Sequence, residues 1–272
     1  FIGDFEANPI LGCLEIDGII GSNLIRHCNW TVDQEHKSLT FFNGIEKHDL
    51  KGGTTIPFKT DNQYNMFTDV GIGQATVKNV LVDYGSNGSI ALNYEIFTAL
   101  KGRNIIDETL TESGMRQSGI VGKPVALNRE IVYTDSVNID NMYLKKVMLR
   151  TGKTVSIGNH LLSRFRVTIN WKNRTLHLLK NREAPDSIRF PGFKLGYAAD
   201  QGVYVQSVVD NSNAYHKGLR PNMRVLKLDG LDFENGNDFC DYVSHELGNT
   251  IFLEVVDSNA RKMEYHFEQT IN

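Results

Sequence analysis

Asp83 ends a short apolar run, Val80-Leu81-Val82, and opens a Gly-containing turn, Tyr84-Gly85-Ser86-Asn87-Gly88. The run reads as a buried strand, so it delivers a carboxylate to the strand's mouth, where water is scarce. Two arrangements keep a carboxylate there: backbone donors hold it ionised, or a second carboxylate shares a proton with it. In the second arrangement both groups cannot ionise together, so one acts as base toward a water while the other stays protonated. An ordinary strand ending in an Asp-x-Gly turn has the same residues, and these few positions alone do not separate the readings.

The remaining chemistry-bearing residues form no comparable set. Cys13, Cys28 and Cys240 are odd in number and contain no C-x-x-C pair, so neither a zinc site nor a disulfide framework is encoded. A Cys13–Cys28 bridge is conceivable; the other reading makes all three small buried hydrophobes. The eight His, His160 and His177 among them, lack metal-ligand spacing and read as surface or satisfied residues, so no metal and no cofactor is expected. A net charge of −3 gives no electrostatic case for nucleic acid. No apolar run reaches the roughly eighteen residues a membrane span needs. The chain opens at Phe1 without Met or a leader-like segment, as expected of a processed product or a portion of a longer chain. With 272 residues, 40% of them hydrophobic, it can bury a substantial core, and its length favours two domains.

An internal repeat organises the first two thirds. Ile20-Gly21-Ser22-Asn23-Leu24-Ile25-Arg26-His27-Cys28, then Thr31-Val32-Asp33 and Leu39-Thr40-Phe41, match Ile157-Gly158-Asn159-His160-Leu161-Leu162-Ser163-Arg164-Phe165, then Thr168-Ile169-Asn170 and Leu176-His177-Leu178. The offset is constant at 137 (158 − 21 and 178 − 41). In each copy an apolar strand ends at Gly and a short helix follows. Leu24, Ile25 and Cys28, or Leu161, Leu162 and Phe165, are expected to face the core. A hairpin then turns through residues 34–37 or 171–174.

Hydrophobic-hydrophobic-Gly, a short helix and a closing hairpin resemble the C-terminal half of a pepsin or retropepsin lobe, and Asp17-Gly18-Ile19-Ile20-Gly21 looks like the bacterial form of that signature. On this resemblance residues 1–43 are the second half of a first aspartic-protease-like lobe and residues 54–180 a complete second lobe. Asp83, Gly85 and Ser86 occupy the catalytic loop, Asn93 caps a helix carrying Ile96, Phe97 and Leu100 and ending at Gly102, and residues 112–124, with Gly119 and Gly122, form a flap that closes over substrate. The resemblance implies a dyad whose other Asp lies near 83 − 137 = −54, in a missing N-terminal part of the first lobe or in a second chain. Two departures stand out: Tyr84 replaces the small hydroxyl residue expected after the Asp, and Val155-Ser156 replaces the Asp-Gly signature's Gly18-Ile19.

Residues 181–187 are polar and read as a linker. From 188 to 270 the chain resembles a PDZ domain. Leu195-Gly196-Tyr197 lies in its carboxylate-binding loop, residues 213–221 match its capped helical turn, Asn237 caps a helix with Phe239, Tyr242, Val243 and Leu247 on one side, and a hairpin turning at Asp257-Ser258-Asn259 closes the unit. The expected fold is therefore mainly β: closed acid-protease-like lobes followed by a small α+β PDZ-like domain. Two functions follow from the resemblance. One is an endopeptidase acting on peptide or protein substrates, in an extracytoplasmic setting. The other is a peptide-binding scaffold with a decayed protease fold.

Overall fold

The computed structural model describes residues 8–14, 16, 18–44, 50–117, 124–181 and 191–268. Asp17, the flap glycines Gly119 and Gly122, and residues 182–187 of the expected linker lie outside the described residues. The chain is mainly β and gathers into two compact units, one of residues 20–109 and 131–188, the other of residues 1–19, 110–130 and 189–272. No helix among the described residues is long and apolar enough to cross a membrane.

In the first unit, β1 (Asn29–Asp33), β2 (Ser38–Phe42), β3 (Thr54–Pro57), β14 (Phe165–Asn170) and β15 (Thr175–Lys180) form a sheet in the order β2-β1-β14-β15-β3. The two repeat hairpins turn alike, with Lys37 (φ 49°) and Arg174 (φ 51°) both in the left-handed region that a tight reversal demands. Strands β1 and β14 run antiparallel with Thr31 opposite Thr168, their hydroxyls 3.0 Å apart. These two are repeat-equivalent residues, so an approximate two-fold axis passes between them.

The same unit carries β4 (Lys59–Thr60), β5 (Met66–Ile72), β6 (Ala75–Asp83), β7 (Ile90–Leu92), β10 (Val137–Ile139), β11 (Met142–Leu144), β12 (Val147–Thr151), β13 (Ser156–Gly158) and the second half of β9 (Val125–Thr134). Strand β13 lies parallel to β6 and antiparallel to β7, which in turn runs parallel to β12. Helix α3 (Tyr94–Gly102) starts where the Asn93 side chain accepts the Ile96 N–H at 2.9 Å, and it buries Phe97 and Leu100 from one face. These side chains join Ile72, Val80, Ile90, Leu149, Ile157, Leu161 and Phe165 in one core.

The repeat helices α2 (Ser22–Ile25) and α4 (Asn159–Leu162) differ in surroundings. Leu161 is fully buried, whereas its equivalent Leu24 is 59% exposed. The expectation that Leu24 packs on the core therefore fails: its face is apolar, but among the described residues nothing covers it.

The second unit has β8 (Leu110–Arg116), β16 (Phe193–Ala198), β17 (Gly202–Val209), β18 (Arg224–Leu228), β19 (Leu231–Asp232), β20 (Thr250–Val256) and β21 (Lys262–Glu268), with α1 (Pro9–Gly12), α5 (Asn213–His216) and α6 (Phe239–Ser244). Val205, Val208, Leu219, Leu253, Val255 and Phe267 centre its core. Helix α6 is capped by Asp238 rather than Asn237. The Asp238 carboxylate accepts from Cys240 and Asp241 N–H in a capping box, while the Asn237 side chain is already engaged by Asp232 N–H and Asp241. The helix ends at Ser244, so Leu247 packs from outside it. The cysteine expectation is also corrected: Cys13 bridges Cys240, 227 residues away, and Cys28 is free. Packing of α1 against α6 makes that pairing, which spacing along the chain cannot disclose.

The described stem of the expected flap, β8, pairs with β17 in this unit, Ser113 opposite Val208. Glu112 on β8 is buried and accepts from Arg129, Lys194 (3.1 Å) and Ser207 (2.7 Å). Burial raises its pKa, but the charges of Lys194 and Arg129 and the hydrogen bonds outweigh that and hold it at about 2. A depressed carboxylate stabilises the fold fully above its unfolded value near 4.5, and the contribution fades as pH falls toward 2. The shift corresponds to about 3 kcal/mol, and screening at half-exposed Lys194 reduces this to about 2 kcal/mol. Glu112→Gln should therefore lower the urea midpoint of this unit at pH 7 and flatten its pH dependence between about 4.5 and 2, while an unchanged slope would place the acid sensitivity elsewhere.

Candidate active site

Strand β6 carries Asp83 to its last position, where Gly158 of the parallel strand β13 stands beside it. The Asp83 carboxylate accepts the Gly85 N–H at 2.9 Å, and Ser86 N–H donates to the Asp83 carbonyl at 3.2 Å. Among the described residues the carboxylate bonds only within its own loop. The loop is tied down from the far side as well. Gly158 N–H donates to Ser89 O at 2.8 Å, Asn159 N–H to Ser86 O at 2.6 Å, and His160 N–H to Gly88 O at 3.2 Å.

This crossing is so close that a Cβ at residue 158 would sit 2.2 Å from Gly88 O and 2.6 Å from Ser86 O. A glycine is thus required there by contact with the Asp-bearing loop. Its repeat equivalent, Gly21, has no such neighbour, since a Cβ would meet only the Asn23 side chain at 3.0 Å. The first copy keeps the glycine and the short helix α2, without a strand before Gly21 and, among the described residues, without a loop lying across it.

Arg150, not singled out from the sequence, reaches the same loop from β12: its Nη2 donates to Ser86 Oγ at 3.2 Å, and its guanidinium fills the space over Gly88. Sixty-four residues separate Arg150 from Ser86. The parallel pairing of β12 with β7, which places Arg150 opposite Ala91, is what brings them together.

Tyr84 packs its partly buried ring against the core. Its hydroxyl is buried with no hydrogen-bond partner among the described residues, and burial pushes the phenol above its usual range. An unsatisfied buried hydroxyl costs about 1–3 kcal/mol. Tyr84→Phe should accordingly raise the unfolding free energy by roughly 1 kcal/mol; a loss of stability would mean that the hydroxyl is satisfied.

The second candidate set, Leu195, Gly196 and Tyr197, lies on β16, which among the described residues pairs with β17 alone. Val205 N–H donates to Met223 O at 2.8 Å, away from β16. Leu195, opposite Val205, therefore turns its own N–H outward, toward α6, where it meets the Tyr242 hydroxyl. Alternation turns the Tyr197 N–H the same way. Phe239 of α6 stacks on the Tyr197 ring, centroids 5.8 Å apart. No group of three or more His, Cys, Asp or Glu among the described residues is placed to hold a metal ion. No family model matches the chain, and no curated protein matches it.

Proposed function

We propose that this chain carries one catalytic carboxylate, Asp83, of an aspartic endopeptidase, and that the apolar face of the first repeat copy seats a complementary half-lobe bringing the second. The observation that carries this reading is the contrast between repeat-equivalent residues. Ile157, Leu161, Leu176 and Leu178 are 2%, 0%, 1% and 2% exposed, whereas Ile20, Leu24, Leu39 and Phe41 are 57%, 59%, 56% and 68% exposed. Exposed apolar patches of this kind mark interaction sites, and β2 is also an edge strand whose outer backbone groups can accept another strand. Covering four such side chains would contribute on the order of 10 kcal/mol.

The approximate two-fold through Thr31 and Thr168 supports a complementary half-lobe over a second copy of this chain, because the place of a symmetric partner hairpin on β14 is taken by β1. The same axis would set a loop equivalent to residues 83–89 across from Asp83, against Gly21. A water between the carboxylates would then attack the scissile carbonyl while the neighbouring carboxyl protonates the leaving nitrogen. In this reading residues 54–180 are the acid-protease-like lobe, and the C-terminal region is PDZ-like, offering β16 to peptide ends or bracing the lobes.

A peptide-binding scaffold is the second reading, favoured by Tyr84: its partly buried ring packs against the core, and it replaces the small hydroxyl residue expected after Asp83. Mass spectrometry of a mixed peptide library incubated with the full-length protein, across acid to neutral pH, separates the two. Cleavage at discrete sites supports the peptidase, and an intact library at every pH supports the scaffold.

A further inference from the structure

Residues 8–14 lie on the face of the second unit where β16 presents its unpaired edge. Helix α1 packs against both α6 and β16, the two elements that flank that edge. Asn8, itself buried, caps α1 by accepting the Ile10 and Leu11 N–H groups at 3.0 and 3.3 Å. Pro9 follows at the first helical position, where its missing N–H is harmless but where it could not donate to a strand ladder. The segment consequently sits as a helical turn over the edge and does not extend the sheet. Pro9 and Ile10 line a small pocket of about 30 Å3 together with Leu195, Gly196, Tyr197 and Phe239, room for a water or two. One turn of helix cannot hold its own shape or position in water, and the Cys13–Cys240 bridge fastens it to α6.

We propose that Asn8–Leu14 is a built-in occupant of the β16/α6 groove, latched by the Cys13–Cys240 disulfide, and that reduction opens the groove to an extended apolar peptide. The groove's ligand class rests on the PDZ-like reading above; the latch does not. A dithiol supplies the two electrons and two protons. One of its thiolates attacks a bridge sulfur and releases one cysteine as thiolate, its second thiolate then attacks the reductant's sulfur in the mixed disulfide and releases the other cysteine, and the products are two cysteine thiols and the cyclic disulfide of the reductant. With α1 free to leave, the outward N–H of Tyr197 and the apolar wall of Phe239 become available for strand addition, while the Leu195 N–H has to exchange the Tyr242 hydroxyl for a peptide carbonyl.

The test compares the oxidised full-length chain with the same chain after dithiothreitol and with Cys13→Ser/Cys240→Ser, each checked for an unchanged core by circular dichroism. Amide exchange is followed at residues 193–198, and a labelled short peptide ending in Val is titrated in two forms, free carboxylate and amide-capped. We expect exchange at Tyr197 to quicken about tenfold or more without the bridge. Peptide affinity should rise about tenfold, limited by the tethered segment, which still competes at a high effective concentration. Tighter binding of the free carboxylate supports both the latch and the PDZ-like reading; equal binding of the two forms supports the latch and removes the carboxylate preference. Exchange that is identical with and without the bridge overturns the latch, and faster exchange with neither peptide bound overturns the groove as an acceptor site.

Discussion

Asp83→Asn is expected to abolish peptide hydrolysis while leaving the fold and its thermal midpoint in place. The amide is nearly isosteric with the carboxylate, and its oxygen can still accept the Gly85 N–H that the Asp83 side chain accepts at 2.9 Å. What it cannot do is hold or share a proton, so no base remains on this side to activate a water. Losses on removing one member of a catalytic set that acts as a unit are roughly 10⁴-fold or more. The parent's activity should also show two apparent pKa values that belong to the carboxylate pair and not to either residue. The assay must contain the complementary half-lobe, since the described residues offer Asp83 no second carboxylate to bond with. Hydrolysis that persists undiminished in Asp83→Asn would leave the Asp-x-Gly turn as ordinary structure, held in shape by Gly158 and Arg150. Tyr84→Thr, which restores a small hydroxyl on sequence grounds, is a poorer probe because it also empties the core position that the ring fills.

The strand ending at Asp83, the two hairpins and the Asn93-capped helix were legible in the sequence because each is written in local chemistry: a short apolar run, a period-two pattern, a cap three residues before a helix's first apolar face. The repeat was legible too, and the matching left-handed residues Lys37 and Arg174 follow from it. Its consequence in space, Thr31 against Thr168, was not read, since a repeat gives equivalence but no axis. Arg150 and the Cys13–Cys240 bridge escaped for a related reason. Each joins residues whose proximity depends on how distant strands and helices are laid together. The burial of Leu24 was misjudged on different grounds. An apolar pattern shows which face wants to leave water, and it is the same whether or not the covering partner is present.

That last distinction sets up a paired measurement in which one substitution is made at two repeat-equivalent positions. Leu161 is fully buried among the residues that support the Asp83 loop, so Leu161→Ala should cost about 3–5 kcal/mol in the chain alone through lost burial and an unfilled cavity. Leu24→Ala removes the same atoms from a side chain that is 59% exposed and should shift the unfolding free energy by no more than about 0.5 kcal/mol. If a complementary half-lobe covers the first copy, the asymmetry must vanish in the assembled protein. Leu24 then occupies the environment that Leu161 already has, and Leu24→Ala should weaken assembly by a comparable few kcal/mol, a loss of about a hundredfold or more in affinity. Phe41→Ala on β2 should act in the same direction, its ring being the most exposed of the set and tilted against the partly buried Trp30, centroids 5.5 Å apart. Denaturant unfolding of the chain alone gives the first pair of values, and titration with the half-lobe gives the second. Equal, small effects of Leu24→Ala in both states would mean that the apolar face is not where the missing carboxylate arrives, and the dyad would have to be completed from another direction.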